Sequence, residues 1–131
     1  MRALVVDDSS SMRTILRRAI QTQGFEVTEA NNGIEAVATL SQSVPFDLIL
    51  IDWNMPLMNG FELLQRIRQQ DRYAASRIVM VTTETNKEEM KHALDAGADE
   101  YIMKPFTAAI LHDKLRLIGL MEAAGRATSC V

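Results

Sequence analysis

A doubly wound α/β fold, a parallel five-stranded sheet with helices on both faces, is predicted by three features of the sequence. Short apolar runs alternate with amphipathic segments five times. The runs are rich in Val, Ile and Leu and mostly lack polar alternation, as strands covered on both faces require. The segments between them place apolar residues at i, i+3, i+4 and i+7, the spacing of a helix with one buried face. Five β-α repeats of this kind give a parallel sheet with crossover helices on either side.

The elements follow in order. The first run, Ala3–Val6, ends at Asp7 and Asp8. Met12, Ile15, Leu16, Ala19 and Ile20 form the first helical stripe, with Ser9 or Ser10 as its cap and Gly24 as its exit. The second run is Phe25–Thr28. Its helix carries Gly33, Ala36, Val37 and Leu40 and starts at Asn31 or Asn32. The third run, Leu48–Ile51, runs straight into Asp52, and Gly60, Leu63, Leu64 and Ile67 follow at helical spacing. The fourth run, Ile78–Thr82, precedes Met90, Ala93, Leu94 and Gly97, with Gly97 suited to a helix exit. Tyr101–Met103 is the fifth run. Thr107 caps the last stripe of Ile110, Leu111, Leu115 and Ile118. Gly125–Val131 reads as a frayed tail, which leaves 1–124 as one domain.

Composition narrows the function classes. The chain has 131 residues, near the modal size of one domain, with 47% hydrophobic and 24% charged residues. A net charge of −3 argues against a nucleic-acid binder, which would carry a basic stripe. Arg13, Arg17, Arg18, Arg66 and Arg68 fall on helix surfaces by pattern and read as a solvated face. The single cysteine, Cys130, excludes a disulfide framework and makes the cytoplasm the default compartment. Four apolar residues before Asp7 are too few for a signal-peptide core. No apolar run approaches the ~20 residues of a membrane span, so no membrane partner is expected. The eight methionines read as core and loop filler, and His92 and His112 as helix residues without a relay role.

In a doubly wound sheet the binding crevice lies at the carboxyl ends of the strands. Those ends here hold Asp7 and Asp8, then Asp52, then Thr82, Thr83 and Glu84, then Lys104 and Pro105. Each alone has an ordinary reading. Acids favour helix N-termini, Asp suits a turn before Pro56, Thr suits a strand, and a lone lysine is a solvated group. Together they converge on one edge. Clustered carboxylates resist joint ionisation, and a hard cation such as Mg²⁺ resolves that conflict. A carboxylate can also attack a phosphoryl group and become an aspartyl phosphate. A cation, the Lys104 ammonium and the Thr82 hydroxyl would then meet the phosphoryl oxygens. On that reading the buried third strand is a stalk that presents Asp52 as a nucleophile.

The set V-D-D at 6–8, D-W-N-M-P at 52–56, V-T-T-E at 81–84 and A-G-A-D-E-Y-I-M-K-P-F at 96–106 resembles the receiver domain of two-component response regulators. The resemblance runs from Arg2 to about Met121 and is strongest to the stand-alone chemotaxis regulators. It implies a flavodoxin-like (βα)5 fold with strand order 2-1-3-4-5. It implies Asp52 as phosphoacceptor, with Mg²⁺ on Asp8, Asp52 and the backbone carbonyl of Asn54, and Asp7 acting through a metal-bound water. Lys104 would pair with the phosphoryl group and with Asp7 or Asp52, aimed by a cis peptide before Pro105. Thr82 and Tyr101 would be the switch pair. Asn54 and Glu84 would tune hydrolysis, and Trp53 would report on the site. The implied partners are a CheA-like sensor histidine kinase, a downstream target such as a flagellar motor switch protein, and a phosphatase.

Three positions depart from the family pattern. Thr83 stands where Ala or Gly is usual, Ser9 where an aromatic is frequent, and Leu57 is an unusually apolar loop residue. Rival readings are a receiver of another phosphorelay, a fragment of a longer regulator, an aspartyl-nucleophile phosphohydrolase and a flavodoxin. The phosphohydrolase needs an acid two residues after its nucleophile, where this chain has Asn54, which cannot protonate a leaving group. A flavodoxin needs a phosphate-cradling loop after the first strand, where Asp7 and Asp8 would repel the phosphate.

Overall fold

The structure, a computed structural model, describes residues 1–83 and 87–120. Five strands, β1 (Arg2–Val6), β2 (Glu26–Ala30), β3 (Leu48–Asp52), β4 (Arg77–Thr82) and β5 (Glu100–Met103), alternate with five helices. The helices are α1 (Ser10–Gln21), α2 (Gly33–Gln42), α3 (Gly60–Arg68), α4 (Lys87–Asp95) and α5 (Ala108–Leu117). A short 3-10 turn, Asp71–Tyr73, follows α3. All neighbouring strands pair in parallel, in the order β2-β1-β3-β4-β5. The order reverses at β1 and β3, so the loops after these two strands flank a crevice.

Strand parity divides the core into two layers. Leu4, Val6, Ile49, Ile51, Ile78 and Met80 pack with α2, α3 and α4 through Ala36, Leu40, Leu63, Leu64, Ile67 and Ala93. Ala3, Val5, Leu48, Leu50, Val79 and Val81 pack with α1 and α5 through Leu16, Ile20, Leu111 and Leu115. Successive strand residues point to opposite faces, so a strand buried on both must be apolar throughout. β3 meets that condition at every position but its last, Asp52.

The caps form as the residue types require. Ser9, Asn32 and Thr107 accept backbone N–H bonds at the starts of α1, α2 and α5. α3 adds a reciprocal capping box between Asn59 and Glu62, at 2.9 and 3.2 Å. Gly24 and Gly97 leave their helices at φ 90° and 116°.

Several expectations are corrected. β2 occupies Glu26–Ala30 rather than Phe25–Thr28, and it alternates exposed and half-buried residues because it is an edge strand. Ile15, Leu94 and Ile110 are exposed, at the outer margin of their stripes. Arg68 is no solvated surface arginine. It donates to the carbonyls of Gly97, Tyr73 and Ser76 and to the Asp99 carboxylate, at 2.8–2.9 Å. One planar fork thus ties the end of α3 to the turns that enter β4 and β5. The tail, with Cys130, lies outside the described residues.

α3 starts in the tightest place in the fold. A Cβ on Gly60 would lie 2.3 Å from the Asp52 carbonyl oxygen and 2.9 Å from the Trp53 Cα, both backbone atoms. The Gly60 N–H donates to the Trp53 carbonyl at 2.9 Å. Helix propensity alone would make Gly60→Ala stabilising by roughly 0.5–1 kcal/mol. The clash reverses the sign, and we expect a net loss of about 1–3 kcal/mol. Urea unfolding midpoints measure this; an unchanged or raised midpoint would show that the backbone yields.

Candidate functional site

Four strand ends build the site. Val6, Ile51 and Val81 are fully buried, so the residues that follow them are held by packed strands. Hydrogen bonds extend the ladders past the last apolar residues. Asp7 N–H donates to the Ala30 carbonyl at 3.2 Å and Trp53 N–H to the Val81 carbonyl at 3.0 Å. Lys104 N–H donates to the Thr82 carbonyl at 2.7 Å. Asp52 itself sits opposite Val81 in the β3–β4 register, and Thr82 opposite Met103 in β4–β5.

Four of the predicted residues, Asp7, Asp8, Asp52 and Lys104, come together. The Lys104 ammonium donates to Asp52 Oδ1 at 2.9 Å and to Asp7 Oδ2 at 3.4 Å. The resemblance implied one of these partners; the structure joins both. One carboxylate oxygen from each of Asp7, Asp8 and Asp52 lies within 4.8 Å of the others. Asp7 is 0% exposed, Asp52 5% and Thr82 0%, whereas Asp8 is exposed. Asn54 and Thr83 are exposed at the rim, and the Lys104–Pro105 peptide is cis. Glu84 lies outside the described residues. Tyr101 is half-buried on β5, with the Lys114 ammonium 5.0 Å from its ring centre. Trp53 is half-buried and packs on Phe61 at 5.9 Å between ring centres.

The electrostatics are poised rather than balanced. Burial raises the Asp52 pKa above its ordinary 3.8; the Lys104 bond opposes this, while Asp7 and Asp8 add to it. Burial pulls the Lys104 pKa down, but its bond to Asp52 and the charges of Asp52 and Asp7 outweigh that, so the net shift is upward. One ammonium therefore undercompensates three carboxylates, and the deficit rests on Asp52. Hard oxygen donors at this separation suit a hard divalent cation.

Two supports were not foreseen. Arg13 donates to the Asp7 backbone carbonyl at 2.7 Å and to Asn31 and Glu29 at 3.0 and 3.2 Å. It fixes the turn that carries the acid pair. Its helix position gave the only sequence signal, and that signal read as solvent-facing. Ser9, the departure beside the acids, donates its N–H to Asp7 Oδ1 at 2.9 Å and caps α1. It orients Asp7 by backbone geometry.

A doubly wound sheet with an acid pair after β1, an acid ending β3, a hydroxyl ending β4 and a lysine after β5 defines a receiver-type fold and site. The response regulator receiver domain family matches residues 3–116, and the chain belongs to that family. It is a CheY-like receiver. Chemotaxis protein CheY1 of Helicobacter pylori is 43% identical over 119 residues, 90% of this chain and 96% of that protein. The Campylobacter jejuni chemotaxis protein CheY homolog is 43% identical over 129 residues, 97% of this chain and 99% of that one. Among solved structures, Vibrio cholerae CheY4 superposes with a TM-score of 0.83 at 38% identity, over 89% of this chain and 97% of that chain.

The raised Asp52 pKa makes a pH-dependent prediction. Between 3.8 and the raised value the folded state holds a proton that the unfolded chain releases, so stability falls as pH rises through that window. Above it, the ionised carboxylate is held at a cost. Asp52→Asn, measured without divalent cations, should therefore be more stable than the parent at neutral pH. The difference should shrink as pH falls through the carboxylate range. Thermal melts across pH 4–8 check this, and a variant less stable at neutral pH would contradict it.

Proposed function

We propose that this chain is a phosphorylation switch that accepts a phosphoryl group on Asp52 and signals through a changed surface. The Lys104 ammonium, set 2.9 Å from Asp52 and 3.4 Å from Asp7, is the observation that carries the reading. In the transfer, an Asp52 oxygen attacks phosphorus and the P–N bond of a phosphohistidine breaks. The imidazole nitrogen keeps the electron pair and takes a proton. Lys104 meets the incoming negative charge, and the buried Thr82 hydroxyl accompanies it. The protein's part is to position and to neutralise, since phosphoryl transfer demands little else.

The acidic cluster fits Mg²⁺. Asp8, Asp52 and the Asn54 carbonyl would hold it, and buried Asp7, already bonded to Lys104 and Ser9, would act through a water. When bound, Mg²⁺ supplies positive charge that neutralises the phosphoryl oxygens. Asn54, Thr83 and Glu84 are proposed to set how fast water reaches the acyl phosphate. The protein is placed in the cytoplasm, downstream of a CheA-like histidine kinase. Its proposed downstream target is a protein such as a flagellar motor switch protein, and a phosphatase is a further proposed partner that acts on the acyl phosphate.

Output is proposed at the surface formed by α4, β5 and α5. A groove there is lined by Lys87, Met90, Lys91, Leu94, Tyr101 and Met103. Leu94, Met103 and Ile110 on this surface are 40%, 39% and 45% exposed, an apolar face that a partner can cover. Movement of Thr82 toward a phosphoryl oxygen vacates space that Tyr101 can fill. Phosphorylation then shifts a population only as far as it stabilises the active state differentially.

Acetyl phosphate with Mg²⁺ should add a single phosphoryl group, seen as one mass increment, and Asp52→Asn should abolish it. Thr83→Ala should form and lose the adduct faster, because a smaller side chain opens the rim. Full modification of Asp52→Asn, or unchanged decay in Thr83→Ala, would sink the respective assignment.

Amide chemical shifts recorded with and without beryllofluoride address the output surface. Tyr101 and the residues of α4 should move together with the loops near Asp52. Shifts confined to those loops would disconnect Tyr101 from the switch.

A further inference from the structure

Leu57 is placed against the interests of the fold. It is 83% exposed, the highest value of any large apolar residue among those described. It is also the one non-glycine residue with positive φ among them, at 72°. The Met58 N–H donates to the Pro56 carbonyl at 2.8 Å, which closes a three-residue γ-turn around it. Glycine or asparagine would occupy this conformation with less strain, and an isobutyl group in water adds nothing to the core.

The turn is a rigid mount. Met58 is buried and packs against Gly33 at the start of α2, where a Cβ would meet the Met58 Cβ at 2.9 Å. On the far side, Gly60 is bonded to Trp53 and Asn59 caps α3. Leu57 is therefore held out from a fixed frame, five residues past Asp52. Asp52 is 5% exposed, so a phosphohistidine carried by another protein reaches it only by descending between the strand-end loops. The loop that bears Leu57 is one wall of that approach.

We infer that Leu57 is an apolar docking contact for the phosphohistidine-bearing donor protein, which covers it with apolar surface while its imidazole is over Asp52. This rests on Asp52 as the phosphoacceptor. It is separate from the α4–β5–α5 groove, which lies beyond β4.

Two donors separate the contact from the chemistry. Phosphoramidate carries the same P–N bond with no protein surface. The other donor is the CheA-like kinase of the source organism, autophosphorylated on histidine. Each is given to the parent chain, to Leu57→Asn, which suits positive φ but is polar, and to Leu57→Met, which stays apolar. Leu57→Asn should lower kcat/KM for transfer from the kinase by roughly tenfold, mainly through KM, the scale of one apolar side chain left uncovered. Its phosphoramidate rate should stay within about twofold of the parent, and Leu57→Met should restore most of the kinase rate. Equal kinase transfer to all three chains would overturn the inference. So would a loss in Leu57→Asn shared by both donors, which would mark a local structural effect. If phosphoramidate fails to modify the parent chain, the phosphoacceptor reading itself falls.

Discussion

Two buried carboxylates, Asp7 and Asp52, share one ammonium at the carboxyl edge of the sheet with a third acid, Asp8, beside them, and the rest of the molecule is arranged to hold that imbalance. Charges placed this close would relax apart on a flexible loop. Here Asp52 ends a strand buried at every position, Asp7 follows the buried end of β1, and Lys104 is tied through its backbone to Thr82. The net effect on Asp52 is unfavourable ionisation, because burial and its acidic neighbours exceed what Lys104 returns. A site in that condition favours any ligand that brings positive charge to the carboxylates. Stability is given up at the point where the proposed chemistry would occur, and the two apolar layers supply it elsewhere.

Most of the architecture was legible because parallel strands leave a plain mark. Residues 48–51 are apolar at every position, and only burial on both faces makes that sensible. Helix starts were readable from Ser9, Asn32 and Thr107, whose side chains bond the first turn as capping chemistry requires. The candidate site was legible for a topological reason: strand ends in this fold share one crevice, so residues far apart in sequence could be brought together on paper.

What escaped detection was long-range and polar. Arg13 and Arg68 occupy helix positions that pattern assigns to solvent, yet Arg13 bonds the Asp7 carbonyl and the Asn31 and Glu29 side chains, and Arg68 bonds the carbonyls of Tyr73, Ser76 and Gly97. Nothing in local spacing distinguishes such an arginine from a solvated one. β2 was misplaced because an edge strand half open to water loses the continuous apolar signal. The exposed Leu94 and Ile110 fit a helical stripe as well as a buried leucine would, since periodicity reports a face and not what covers it.

Asp52 is an undercompensated carboxylate, and a bound cation would complete it. The most direct measurement follows the Asp52 side-chain carboxyl carbon by NMR as pH is varied, with and without Mg²⁺. Without the metal it should titrate above 3.8. With Mg²⁺ its titration should move to lower pH, because a bound cation favours the ionised form. Titration at the ordinary value in both conditions would contradict the account.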